Sequence, residues 1–348
     1  MRHNRKTIYL AGFVFSLSIA LMSYINSSFI SSFVNEKLVG TIYALGSIVS
    51  VLALLLVPRI FRKMGGYKFL LWIIALNSLS ILLFAFSKNA WSAIILFVAG
   101  FTLNILIYFS LDEILKIFSK DSVTGKIRGA YITIVSLAWI ISQLMFFAIL
   151  GEFSFRIIYL ISFAIMLLFF AIAYWNFRDI PDPQYDKLNI KKYIGEYFKN
   201  KNLSRAYGIS FLLQFFYCWM IIYTPIYLSL HLGFSWKEIG IIFAIMLLPF
   251  SILPFPLGKY ADKIGERKML MFGFTIASLA TLSLFFVYQH TVWIWALLLL
   301  TTRIGAATIE VMSDAYFFKH IRPENEEFVG VYRSASPVAY ILGPLFAF

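Results

Sequence analysis

Residues 258–268 read GKYADKIGERK. Apolar runs of about twenty residues flank this stretch on both sides. Within it, Gly258 and Gly265 bracket Asp262, and Lys259, Lys263, Arg267 and Lys268 crowd around the acid. The purpose of such an interruption depends on the solvent that the rest of the chain needs. The 348 residues are 61% hydrophobic and 14% charged, with 37 phenylalanines. Soluble domains run nearer to half apolar and about a quarter charged, so no water-soluble core absorbs this much apolar surface. Apolar runs of about 18–25 residues recur along the chain and predict transmembrane helices. They lack the in–out alternation of membrane barrel strands. An all-α membrane protein is therefore expected.

Eleven spans are predicted, over 8–33, 38–57, 69–87, 90–111, 129–150, 155–176, 207–231, 237–257, 269–288, 291–315 and 329–348. The first run is too long for a signal-peptide core, and no cleavage pattern ends it. With the N-terminus placed in the cytoplasm, the cytoplasmic segments carry 25 Lys and Arg. The outer loops carry only Lys37, Lys88, Arg156 and Lys237, and Arg303 lies inside a span. This bias sets the orientation by the positive-inside rule, and it accounts for the net charge of +13 without nucleic acid. The expected location is the plasma (cytoplasmic) membrane. One long connection, 177–206, divides the chain into halves at 1–176 and 207–348. It opens with Pro181 and Pro183 and continues as KLNIKKYIGEYFKNKNL. Ile190, Tyr193, Ile194, Tyr197 and Phe198 recur at helical spacing opposite lysines, which predicts an amphipathic helix on the membrane surface.

Shifted by 200 residues, the sequence lies on itself. TIYAL after Gly40 meets IIFAI after Gly240, and VPRIFRKMGGYKFLL meets LGKYADKIGERKMLM. Lys63, Gly65 and Lys68 fall over Lys263, Gly265 and Lys268. With one further residue of shift, GAYITIVSLAWI at 129–140 meets GVYRSASPVAYI at 330–341. Chance identities are common in apolar sequence, but a constant offset that also aligns loops is not. Two halves in one orientation form a parallel repeat, an arrangement in which transporters hold solute near the midplane between the halves. The partner of span six is missing from this pattern. Eleven helices of an expected twelve are therefore anticipated, with the C-terminal half incomplete.

On these residues the chain resembles the major facilitator superfamily, whose loop motif, G-x-x-x-D-x-x-G followed by basic residues, lies between spans two and three and again between eight and nine. Gly258, Asp262, Gly265, Arg267 and Lys268 match the second copy. The glycines let a helix end and turn sharply, and the acid suits the positive N-terminal end of another span. The resemblance implies that this motif latches one half to the other, with the start of span five, near Arg128 and Gly129, as the partner of Asp262. The first copy departs from the pattern: Pro58 replaces the first glycine and Arg62 the acid, while Gly65 is kept. Glu326 and Glu327 precede span eleven, where Arg62 is expected to meet them in a latch of inverted sign.

An ionisable residue inside a span is costly, at least about 2.5–3.5 kcal/mol at the centre. Span ten contains Arg303, Glu310 and Asp314, and at helical pitch all three fall within about 40° of one another on one face. The resemblance implies that spans one, four, seven and ten line the central path. Glu310 is the candidate proton-linked carboxylate and Arg303 its controlling partner. Asn104 and Asp112 in span four, Tyr24 and Asn26 in span one, and Gln214 and Tyr217 in span seven are the further path candidates. Pro225, Pro249, Pro254, Pro256, Pro337 and Pro344 mark the second half as the more bent one.

No phosphate-binding, zinc-protease or nucleophile-elbow motif occurs, so neither an enzyme nor direct ATP drive is expected. One cysteine, Cys218, excludes an intrachain disulfide. No metal or cofactor is expected. The functional expectation is a monomeric secondary transporter of a small solute, proton-coupled through the span-ten stripe, with the bilayer, solute and protons as partners. The alternative from another class is a non-transporting receptor or assembly protein of the same fold.

Overall fold

The computed structural model describes residues 5–118, 124–150, 154–178, 190–321 and 327–346. Every regular element among them is helical. They fall into two compact units, Met1–Tyr185 and Asp186–Phe348.

The first unit holds α1 (Arg5–Ser23), α2 (Asn26–Ser31), α3 (Glu36–Met64), α4 (Gly66–Ala85), α5 (Ala90–Phe118), α6 (Thr124–Leu150) and α7 (Phe155–Asn176). Span one is thus interrupted between α1 and α2. At the break, Ser23 Oγ donates to the Ile19 carbonyl at 2.9 Å, a back-bond that bends helices. α1 packs on α6 and α7, α4 on α5 and α7, and α3 on α5. Small residues allow close approach: a Cβ at Gly12 would run into the Tyr131 ring of α6. Ser18 Oγ on α1 donates to the Ser162 carbonyl of α7 at 2.9 Å. Phe29 of α2 lies with its ring centroid 5.0 Å from Phe84 and 5.1 Å from Tyr159, which ties α2 to α4 and α7.

The second unit holds α8 (Ile190–Lys199), α9 (Lys201–Ile226), α10 (Trp236–Leu247), α11 (Pro249–Ile252), α12 (Pro254–Ile264), α13 (Glu266–Leu284), α14 (Val292–His320), α15 (Glu327–Arg333) and α16 (Ala335–Leu342). A π-helical turn, Tyr227–His231, continues α9 just past Pro225. Such a turn absorbs the irregularity that proline introduces. α13 and α14 approach each other backbone to backbone: a Cβ on Gly305 would lie 2.6 Å from the Ala277 backbone nitrogen and 2.7 Å from the Gly273 carbonyl oxygen. Small residues at such contacts drive association inside lipid, where apolar burial gives no advantage over lipid tails.

The internal repeat is visible in the helix bounds. α3 ends at Met64 and α12 at Ile264; α4 starts at Gly66 and α13 at Glu266. Gly65 and Gly265, the residues between them, hold φ of 79° and 87° and ψ of 154° and 145°. α5 and α14 are both 29 residues long, offset by 202. Among the described residues the halves also differ in helix continuity. Glu36–Met64 is one helix, whereas the matching residues Trp236–Ile264 form three, interrupted before Pro249 and Pro254.

A largely apolar interior takes in a set of polar side chains while apolar side chains also point outward. Ser16, Ser18, Ser47, Ser50, Asn77, Gln143 and Ser162 are buried, whereas Trp72, Leu76, Leu79 and Leu83 form an exposed stripe on α4. A contiguous outward apolar face of this kind belongs in lipid rather than water. Seven helical stretches among the described residues are long and apolar enough to cross a membrane: Lys6–Ser31, Glu36–Leu54, Gly66–Ala85, Ala90–Leu115, Phe155–Asn176, Lys201–His231 and Val292–His320. The breaks at Pro249 and Pro254 keep the expected eighth span out of that set.

α8, Ile190–Lys199, lies within the long connection. It packs on α9 and α15. Tyr197 is fully buried in a cluster with Leu203, Ala206, Phe317, Phe328 and Tyr332, while Ile194 and Phe198 remain exposed.

Candidate functional site

The second unit assembles its candidate site on α14 and α9. Arg303 lies on α14 and is 2% exposed. Its guanidinium carbon sits 5.4 Å from the ring centroids of both Phe216 and Tyr217 on α9, within reach of cation–π attraction. Two turns further along α14, Glu310 is exposed. Tyr217 OH donates to Glu310 Oε2 at 2.8 Å. Tyr217 therefore bridges the two charges, its ring against the cation and its hydroxyl on the anion. No ion pair within 4.0 Å joins Arg303 to Glu310 among the described residues, and Arg303 Nε and Nη2 are buried without a hydrogen-bond partner. Gln214 lies on α9 three residues before Tyr217 and is partly buried.

Asp314 shares the α14 face but has a different setting. Arg333 of α15 pairs with it at 3.2 Å, and Tyr332 OH donates to its Oδ1 at 2.9 Å. The same Tyr332 hydroxyl lies 2.8 Å from Ser313 Oγ. Asp314 thus fastens α15 to α14. Its counterpart Asp112 is the twenty-third residue of α5, as Asp314 is of α14, and is partly buried.

In the first unit, Asn104 Oδ1 accepts from Asn77 Nδ2 at 2.6 Å. Asn77 is fully buried on α4; the sequence does not single it out, because a lone Asn in an apolar run has no periodic signal. Asn26 Oδ1 accepts from Tyr159 OH at 2.9 Å. Tyr24 is 2% exposed and meets Trp139 of α6 edge-on. Both residues are thus engaged with neighbouring helices.

Of the loop-motif residues, Gly65 and Gly265 occupy left-handed turns that favour glycine. Arg267 and Lys268 are exposed at the start of α13. Glu326 lies outside the described residues, as do the surroundings of Arg62, Arg128, Gly129, Gly258, Asp262 and Glu327. Beside the motif, Glu266 pairs with Lys319 at 3.0 Å and joins the start of α13 to the end of α14. The hydrogen bond from Lys319 holds the Glu266 carboxyl below the usual carboxylate range. The sequence singles out neither residue, because a surface Glu and a Lys 53 positions apart carry no mutual signal.

The Major Facilitator Superfamily profile matches residues 7–344. The chain belongs to the Major Facilitator Superfamily. Solved structures of superfamily transporters share its fold. A bacterial homolog of the human lysosomal transporter Spinster, in an inward-facing and unoccupied conformation, superposes with a TM-score of 0.74 at 14% identity, over 98% of this chain and 80% of that one. The nucleoside transporter NupG gives 0.74 at 12% identity, over 99% and 90%. A D-xylose–proton symporter gives 0.70 at 14%, over 98% and 88%. No curated protein matches the sequence. The chain is thus a multi-pass membrane protein of a transporter superfamily.

Proposed function

We propose that this superfamily member is a secondary active transporter that moves a small solute by alternating access of its two halves, with Glu310 as the proton-linked carboxylate. It acts as a monomer in the plasma membrane with its N-terminus in the cytoplasm and about eleven membrane spans. The observation that carries the reading is the Tyr217–Glu310 bond: an accessible carboxylate on α14 is held by a second helix and placed two turns from a buried cation. A carboxylate so placed changes its proton affinity when the distance to charge and water changes. Rocking of one half against the other supplies that change. Moving the charge across the full field couples about 2.3 kcal/mol per 100 mV to the cycle. Asp262 latches the halves against the start of α6, and Arg62 forms the inverted latch with Glu326 and Glu327.

The test is a solute panel on the full chain in proteoliposomes, with internal pH read by a trapped dye. A solute that alkalinises or acidifies the lumen only in the presence of the protein supports coupling. The Glu310→Gln protein should then exchange solute without accumulating it against a gradient. Accumulation by Glu310→Gln in response to an imposed pH gradient would remove Glu310 from the coupling role.

A further inference from the structure

α8 is held to the second unit through Tyr197. That residue is fully buried, with its ring centroid 5.5 Å from Phe328 of α15 and 6.4 Å from Phe317 of α14. Along an adjoining face of α8, Ile194 and Phe198 are 42% and 45% exposed. Four residues apart, they stand together one turn above the other. The height of this face is set by α9. The Phe198 ring lies 5.1 Å from that of Tyr207, about two turns into α9. α9 opens the stretch Lys201–His231, which is long and apolar enough to cross a membrane. The exposed pair therefore borders the first turns of a span, at the depth where acyl chains meet headgroups. The charge beside it is mostly of one sign. Lys199, Lys201 and Arg205 are exposed around this corner. Over residues 187–205 they join Lys187, Lys191 and Lys192 against a single acid, Glu196. An apolar face rimmed by cations fits an anionic lipid surface, since its apolar side chains enter among acyl chains while its cations meet phosphates. A soluble acidic protein would match the charge but not the depth.

We infer that α8 is an anionic-lipid-binding element: Ile194 and Phe198 insert into the leaflet that borders the start of α9, and Lys199, Lys201 and Arg205 hold the anionic headgroups beside them. The leaflet and the second unit then share one helix. Tyr197 meets Phe317, Phe317 stacks at 4.1 Å on Tyr332, and the Tyr332 hydroxyl donates to Asp314. This file of rings joins the lipid-bound helix to the charged face of α14. The inference goes beyond the transport reading and stands whether or not the chain moves a solute.

The test places a polarity-sensitive nitrobenzoxadiazole dye at Ile194→Cys in the full chain, with the single native cysteine removed as Cys218→Ala. The protein is reconstituted in vesicles of phosphatidylcholine, alone or with about a quarter phosphatidylglycerol. Dye emission should be bluer and stronger in the anionic vesicles. The difference should fade as salt rises from about 50 to 500 mM. Exchanging the three exposed cations together, as Lys199→Gln, Lys201→Gln and Arg205→Gln, should remove most of the difference at low salt. The salt series leaves the cations in place, so it decides the matter even where that variant does not fold. The inference is overturned if emission is the same in both lipids: polar in both would mean that water covers the face, and apolar in both that headgroup charge plays no part. A difference that survives high salt or the charge variant would equally overturn it, because Lys199, Lys201 and Arg205 would not be its source.

Discussion

Arg303, Tyr217 and Glu310 form a relay in which an aromatic ring with a hydroxyl separates two charges that one helix carries. Removing the hydroxyl alone is the sharpest probe of it. Tyr217→Phe keeps the ring against Arg303 but frees Glu310, so exchange of solute should persist while the pH dependence of uptake shifts. An unchanged pH profile would show that the bond does not bear on coupling. Arg303→Ala should damage both exchange and accumulation. Part of this relay is legible in the sequence: helical pitch alone places Arg303 and Glu310 on one face of one helix. Pitch says nothing about which side chain of a neighbouring helix comes between them, so a direct ion pair is the natural expectation. Asp314 shows the same limit. Its angle on α14 matches the other two charges, but Arg333 and Tyr332, from a separate helix, give it a fastening role.

At the scale of elements, helix ends and close contacts carry the design. Gly305 has no room for a side chain, because the atoms in its way are backbone atoms of α13. Gly305→Ala should lower the thermal midpoint of the solubilised protein, by roughly 1–3 kcal/mol of stability. Gly330→Ala should be neutral or slightly stabilising, since open space surrounds that position on α15. If both variants melt alike, the α13–α14 approach is looser than described. Gly265→Ala should cost about 1 kcal/mol or more through its left-handed turn alone. The Glu266–Lys319 pair adds a small pH term. Glu266 titrates below its ordinary value, so its contribution is complete above about pH 4.3 and fades as pH falls below that toward the folded value. Lys319 is largely exposed, so the effect is below about 1 kcal/mol. Glu266→Gln should therefore leave an acid melt less steep between about pH 5 and 3. The glycine turns are readable from the repeat, because a glycine kept at the same offset between two pairs of apolar runs marks a sharp reversal in each half. The packing of α8 through Tyr197 is not, because an amphipathic pattern marks a helix with one wet face without saying whether lipid or protein covers the other.

For the whole molecule, the proposed orientation makes a plain prediction. Cysteines introduced in the 177–206 connection should react with impermeant reagents only from the cytoplasmic side, and one at His290 only from outside. Labelling of the connection in intact cells from outside would invert the topology. The proposed latches are tested at the same scale. Asp262→Asn should reduce transport while insertion is unaffected. Arg62→Glu should be harmful and partly rescued by Lys at Glu326 and Glu327. Absence of rescue would mean that those residues do not meet. The repeat is the most legible feature of the whole chain, since a fixed offset survives the noise of apolar sequence. What it does not convey is that the two halves can build matching segments with different helix continuity. Glu36–Met64 is a single rod, and its counterpart Trp236–Ile264 is jointed at two points. A rod transmits a push along its length, whereas a jointed one yields where its hydrogen-bond ladder is interrupted. Within this stretch a bending load therefore falls on the two joints in the second half, whereas in the first it is spread along an unbroken helix.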